Sequence, residues 1–94
     1  MKLPIHSVDD LALVLRAVRK SSRVRQDDLA ATAGVSKQFA ADVERGKPTV
    51  QLGLVLKLLS EAGVSLSAEI PGSAAAELDR QRARRNAKMQ AHDA

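Results

Sequence analysis

Three polar residues near the middle of the chain, Lys37, Gln38 and Asp42, combine the donor and acceptor types that recognise the edges of DNA bases. A lysine ammonium can donate to guanine O6 and N7, a glutamine amide can pair twice with adenine, and an aspartate can accept from cytosine N4. Helical spacing would place the three side chains on one face of a short helix. That face is either a base-reading surface or an ordinary solvated side of the helix, and the surrounding elements decide between these two interpretations.

The first element that positions this face is a helix predicted over about Val8 to Lys20, where apolar residues recur at helical spacing. Ser7 and Asp10 form a variant of the capping box, which marks its start. A strongly apolar helix is predicted between Val50 and Ala62, with a break near Gly53 left open. We expect this apolar helix to form the centre of the core.

Two short helices are predicted between those two, and three residues join them. Gln26 to Ala33 forms the first, and Gly34 can adopt the left-handed conformation that ends it. Ser36 is a suitable N-cap for the second, which is predicted from Lys37 to about Arg45. Two short helices with this connection are typical of a helix-turn-helix, whose second helix lies in the major groove of DNA.

The side chains between these two helices satisfy most of the steric rules of the motif. Ala30 is small where the second helix must cross the first. The apolar contacts beneath the crossing are expected from Leu29, Val35 and Val43. Ala40 departs from the pattern, because a larger aliphatic residue is usual at that position. Either the second helix lies closer to the first than usual, or Phe39 fills the space.

Residues 65–70 alternate polar and apolar side chains before Pro71 and Gly72, which indicates a β-strand. No second strand is predicted, and a lone strand leaves its backbone donors and acceptors unpaired. Pairing with the same strand of a second subunit is the simplest solution. The residues expected to face the helices are Leu66, Ala68 and Ile70. The alternative is an extended segment packed on the helices of its own chain.

Residues 73–94 are rich in Ala, Arg and Gln, and their large apolar residues are Leu78 and Met89. Such a segment cannot build a core, so this tail is either disordered or a polar helix that a partner orders. We therefore predict a helix-turn-helix and dimerisation domain over residues 1–72 and a basic tail over residues 73–94. The predicted fold class is mainly all-α, a bundle of four to five helices with one C-terminal strand.

Composition narrows the possible functions. The 94 residues carry a formal charge of +4. A block without acidic residues contains Arg16, Arg19, Lys20, Arg23 and Arg25. This block favours an anionic partner, and a solvated helix end is its alternative explanation.

Cysteine and a glycine-rich phosphate loop are absent from the sequence, so we expect no metal, no cofactor and no enzymatic activity. No signal peptide or membrane span is predicted, and the expected location is the cytoplasm, at the nucleoid through DNA binding.

Three segments of the chain resemble the phage-repressor-like helix-turn-helix family, also called the Cro or XRE type. They are Gln26-Asp27-Asp28-Leu29-Ala30, Ala33-Gly34-Val35-Ser36 and Glu44-Arg45-Gly46-Lys47, within a match over about residues 8–64. Further segments are similar to the HipB-type antitoxins of bacterial toxin–antitoxin operons. These are Phe39 with Asp42, the run from Glu44 to Val50, and the closing Gly63-Val64-Ser65-Leu66.

The resemblance to HipB implies an antitoxin and autorepressor. Such a protein is a homodimer that binds palindromic operator DNA in its own promoter and holds a HipA-like kinase toxin inactive. A stand-alone XRE-family regulator without a toxin is the alternative. A pure interaction protein that only sequesters a partner is disfavoured by the basic block and by the face that carries Lys37 and Gln38.

The resemblance also implies roles for single residues. Lys37, Gln38 and Asp42 fall at the base-facing positions of the third helix. The residues expected at DNA phosphates are Arg25, Gln26, Ser36, Arg45 and Lys47, with a simple N-cap as the alternative role of Ser36. Arg19 and Glu44 fall where these repressors pair the first helix with the end of the third. The alternative for this pair is two unrelated surface charges.

Overall fold

The computed structural model describes residues 1–93 and consists of helices joined by short connections. The α-helices are α1 (Val8–Ser21), α2 (Gln26–Ala33), α3 (Lys37–Glu44), α4 (Leu52–Glu61) and α5 (Ala75–Asp93), and a single 3₁₀ turn spans Gly72–Ala74. Within these 93 residues no helix has the length and apolar character needed to cross a membrane. The predicted class, a bundle of four to five helices, is confirmed for its helical part.

The start of α1 follows from its capping residues. The Ser7 hydroxyl accepts a hydrogen bond from the backbone N–H of Asp10 at 3.1 Å. The Asp10 carboxylate accepts from the backbone N–H of His6 at 2.9 Å, one residue before the cap. The first bond satisfies one of the donors that a helix start otherwise leaves unpaired, and the second ties the residue before the cap to the first turn. The predicted start of α1 is therefore confirmed.

The core is aliphatic and lies between α4 and the three helices before it. Its largest fully buried side chains are Leu15 of α1 and Val55, Leu58 and Leu59 of α4. Helix α2 packs against α3 and α4, and α1 packs against α3. Helix α4 is continuous, because Gly53 lies in its first turn and does not break it. Its position at the centre of the core agrees with the prediction.

The turn between α2 and α3 brings these two helices close together. Gly34 adopts the left-handed conformation, with φ 75° and ψ 31°, as predicted. The N–H of Val35 returns to the carbonyl of Ala30 at 3.0 Å, which closes the end of α2. Ala30 and Ala40 are both 1% exposed, so the small side chains are enclosed at the crossing. Phe39 is half-buried and packs against the same core.

The strand predicted over residues 65–70 is absent from the part of the chain that the structure describes. Leu66, Ala68 and Ile70 are exposed in the single chain. The expectation that they face the helices when two such strands pair across a twofold axis stays a prediction. A β-strand is defined by backbone hydrogen bonds to a neighbouring strand. Residues 1–93 of one chain contain no neighbouring strand with which residues 65–70 could pair. The alternative of an extended segment packed on its own helices is excluded by the same exposure.

Helix α5 projects from the core. Its residues from Ala75 to Gln90 are all exposed, and its main contacts are with the preceding 3₁₀ turn. The radius of gyration is 16.3 Å. A compact chain of this length would have about 12 Å. The tail was predicted to be either disordered or a polar helix, and in the structure it is a polar helix. This helix does not pack against the core.

Changing either of two glycines to alanine tests the turn geometry, because the two changes are expected to alter the free energy of unfolding in opposite directions. Changing Gly34 to Ala should lower the free energy of unfolding by about 1 kcal/mol, because a Cβ is disfavoured at positive φ. Changing Gly53 to Ala should raise it by up to about 1 kcal/mol, because Gly53 is helical and a Cβ there meets open space. Urea unfolding followed by circular dichroism measures both variants. Equal effects of the two changes would contradict this account of the turn.

Candidate nucleic-acid interface

The orientation of α3 is set by an ion pair to α1. Arg19 Nε donates to Glu44 Oε2 at 2.7 Å, and Arg19 Nη2 donates to Glu44 Oε1 at 2.9 Å. The two side chains are 13% and 5% exposed, respectively. Two parallel hydrogen bonds between planar groups define both distance and orientation, which a single charge contact does not. The structure thus brings Arg19 and Glu44 together across 25 residues of sequence.

Additional hydrogen bonds extend this junction to the neighbouring backbone. Arg19 Nη1 donates to the carbonyl of Val24 at 2.9 Å, which ties down the connection before α2. Arg16 Nη2 donates to the backbone carbonyl of Glu44. The hydrogen bond to Glu44 raises the pKa of Arg19 above its ordinary value, so the charge of this guanidinium is secure. Two members of the basic block, Arg16 and Arg19, are therefore used to hold helices together.

The first turn of α3 presents the polar residues that the sequence singled out. The Ser36 hydroxyl accepts from the backbone N–H of Phe39 at 3.0 Å and is the N-cap of α3. Its own O–H remains a possible donor to a phosphate, because a hydroxyl both donates and accepts. Lys37 and Gln38 follow directly and are exposed. The opposite side of α3 is buried through Ala40 and Val43, so the helix presents its polar side to solvent.

Asp42 is the centre of a polar network on α3. Gln38 Nε2 donates to Asp42 Oδ1 at 2.9 Å, and Arg45 Nη2 donates to the same carboxylate. Lys47 Nζ lies 3.6 Å from Asp42 Oδ2. The hydrogen bond from Gln38, assisted by Arg45 and Lys47, holds the pKa of Asp42 below its ordinary value. The carboxylate that was predicted to read a base is already occupied by protein donors.

The remaining phosphate candidates lie at the start of α2. Gln26 is the first residue of that helix and is half-buried. Arg25 is exposed, and its guanidinium donates twice to the Asp27 carboxylate at 3.1 Å. This ion pair was not predicted from the sequence. The signal that could have shown it is an arginine and an aspartate two positions apart at the start of a helix. Arg25 must exchange this carboxylate for a phosphate if it is to contact DNA.

The predicted site residues thus form two groups. The structure joins Gln38, Asp42, Arg45 and Lys47 in one network on α3 and its C-terminal loop, with Ser36 and Lys37 at the other end of the helix. Arg25 and Gln26 lie apart from that network at the start of α2. Over residues 1–93, no group of three His, Asp or Glu side chains is arranged to hold a metal ion.

Comparison with protein families identifies a match over residues 10–69 to the model described as "Helix-turn-helix domain". A relative from Sinorhizobium fredii, the uncharacterized HTH-type transcriptional regulator y4mF, is 46% identical over 63 residues. The aligned segment covers 67% of this chain and 83% of that relative.

Solved structures with the same fold carry the name HipB. A chain of the HipA-HipB-O2-O3 complex has a TM-score of 0.69 and 22% sequence identity, covering 73% of this chain and 97% of the other. A chain of the HipB-O4 20mer complex has a TM-score of 0.68, also at 22% identity, with the same coverage. At this level of identity the likeness concerns the fold.

The ion pair between Arg19 and Glu44 can be tested by a double-mutant cycle. Changing Arg19 to Met should lower the free energy of unfolding by about 3 kcal/mol, because Glu44 is left buried without its partner. Changing Glu44 to Leu in the same chain should recover much of that loss. Denaturant unfolding measures each variant.

The exposed pair of Arg25 and Asp27 provides a matched control for this cycle. Its side chains are 78% and 30% exposed, and breaking it with Arg25→Met should change stability by less than about 1 kcal/mol. If the losses of the two single changes at Arg19 and Glu44 simply add in the double variant, the pair does not hold α3 in place.

Proposed function

Because the chain belongs to the helix-turn-helix domain family, we propose that it is a repressor that binds operator DNA as a dimer through α3. The observation that carries this proposal is the position of Lys37 and Gln38. Both are exposed in the first turn of α3, on a helix that Arg19 and Glu44 hold in a defined orientation. In a helix-turn-helix this turn of the second helix contacts base edges in the major groove.

In the proposed complex the polar residues of α2, α3 and their flanking loops divide between bases and phosphates. Lys37 donates to guanine and Gln38 pairs with adenine, since these are the base contacts that their side chains make best. Gln26 contacts a phosphate at the start of α2, where the helix dipole favours an anion. The remaining phosphate contacts are assigned to Arg25, Ser36, Arg45 and Lys47.

The dimer is proposed to form through residues 65–70. Leu66 and Ile70 are exposed in the single chain, and pairing this segment with its copy would satisfy the backbone and cover these side chains. A twofold axis between two α3 helices also matches a palindromic operator, because each half-site then contacts one subunit. The strand that the sequence indicates would exist only in the dimer.

We further propose that the protein is the antitoxin of a HipA/HipB-like operon and neutralises a HipA-like kinase. The shared fold with chains of HipB complexes, one of which includes HipA, supports this assignment. The exposed basic helix α5 and the outer faces of α1 and α4 remain available to a toxin while α3 contacts DNA. Electrostatic attraction to an acidic surface would speed such an association.

A stand-alone transcriptional regulator is the second candidate function. It is favoured by the name of the Sinorhizobium fredii relative, which describes a regulator without reference to a toxin. The two candidates share the DNA-binding surface and the dimer, and both place the protein in the cytoplasm. They differ in whether a kinase partner is found with the protein in its native host.

Sedimentation tests the proposed dimer. We expect a dimer at micromolar concentration and a monomer when Leu66 and Ile70 are both changed to Lys, because paired strands would bring the four charges together. The control is Leu13→Lys, which places a charge at another exposed leucine, on α1, and should leave the dimer intact. A monomeric wild-type protein would be incompatible with this interface.

Changing Lys37 and Gln38 to Ala should separate the two proposed activities. Each lost bidentate contact should cost about 1–3 kcal/mol of operator discrimination, so repression of a reporter should fail. Rescue of growth during toxin expression in the same strain should persist, because the toxin contacts other surface. A complementary variant that ends at residue 72 lacks the basic tail. It should still repress the reporter but should rescue growth less effectively. Loss of both activities in a folded Lys37/Gln38 variant would show that the two surfaces overlap.

A further inference from the structure

We infer that Asp42 is a positioning residue that orients the amide of Gln38 for base recognition and does not itself contact a base. This inference rests on the proposed DNA-binding function of α3, and it revises the role that the sequence suggested for Asp42.

The Asp42 carboxylate is already occupied by protein donors. Asp42 Oδ1 accepts from Gln38 Nε2 and from Arg45, and Oδ2 faces the Lys47 ammonium. The side chain of Asp42 is 13% exposed, whereas its partners Arg45 and Lys47 are 65% and 50% exposed. The carboxylate therefore lies beneath the side chains that surround it. A cytosine amino group would have to displace these donors before it could reach Asp42.

The hydrogen bond to Asp42 leaves part of the Gln38 amide free. A glutamine amide has two N–H donors and one carbonyl acceptor. One N–H is donated to Asp42, and the other N–H and the carbonyl oxygen remain. These two groups are the pair that adenine N7 and N6 require. The hydrogen bond to Asp42 thus decides which end of the amide is nitrogen and which is oxygen, while the base-pairing groups stay available.

The hydrogen bond to Asp42 also lowers the entropic cost of ordering the Gln38 side chain on DNA. A free glutamine samples several rotamers and must lose that freedom when it binds a base, which weakens binding. Because Gln38 is already held by Asp42, part of this cost is removed before DNA arrives. Arg45 and Lys47 also neutralise the Asp42 carboxylate, which would otherwise repel the phosphates of the DNA.

The experiment begins with duplexes of randomised central sequence, from which the wild-type protein selects its preferred site. Fluorescence anisotropy then measures binding to that site and to single base-pair variants of it. The proteins compared are wild type, Gln38→Ala, Asp42→Ala, Asp42→Asn and the Gln38→Ala/Asp42→Ala double variant. Circular dichroism establishes that each is folded.

We expect Asp42→Ala to lose about two- to tenfold in discrimination at the base pair that Gln38→Ala affects. The double variant should lose no more than Gln38→Ala alone, because Asp42 acts through Gln38. Asp42→Asn should retain most of the discrimination, because its amide oxygen still accepts from Gln38. In the free protein, the nuclear magnetic resonance signals of the Gln38 side-chain amide should shift strongly in Asp42→Ala and weakly in Asp42→Asn.

Three results would overturn the inference while leaving the DNA-binding function standing. They are a loss in Asp42→Ala at a different base pair from that of Gln38, additive losses in the double variant, and a new base preference in Asp42→Asn. Failure of the wild-type protein to select any sequence would instead overturn the proposed function, and the inference with it.

Discussion

The bidentate contact between Arg19 and Glu44 is the interaction on which the geometry of the candidate DNA surface depends. The core beneath α2 and α3 consists of aliphatic side chains, several of them alanines. Hydrophobic burial is non-directional, so contacts of this kind allow small shifts between helices. Two short hydrogen bonds between planar charged groups do not allow such shifts. The aliphatic core therefore provides most of the stability, and the ion pair provides the orientation of α3.

The elements that the sequence predicted well are those with local causes. The start of α1 follows from Ser7 and Asp10, and the turn after α2 follows from the conformational freedom of Gly34. The pairing of Arg19 with Glu44 has no such local signal, because 25 residues separate the two. This ion pair was predicted from the family resemblance. Members of a family share a three-dimensional arrangement that the spacing of residues along one sequence does not reveal.

Two features of the molecule could not be established from the sequence alone, for different physical reasons. A strand over residues 65–70 would need a second chain to pair with, and the alternation of polar and apolar residues within one chain contains no information about that partner. The polar network around Asp42 was not predicted, because its residue type was considered without its neighbours. Gln38 lies four residues before it and Arg45 three residues after it, and these are the separations at which helical side chains meet. An acceptor with donors at both separations is already occupied in the free protein.

The division of α3 into two sides has a consequence for how such proteins diverge. Ala40, Val43 and Glu44 are buried and contact the rest of the domain, whereas Lys37 and Gln38 contribute nothing to the core. Substitutions at positions 37 and 38 therefore leave folding almost unaffected, and exposed changes of this kind are usually close to neutral for stability. If positions 37 and 38 read bases as proposed, two copies could acquire separate operators after gene duplication through a few such changes. The two copies would then regulate separate promoters, and no variant along the way would fail to fold.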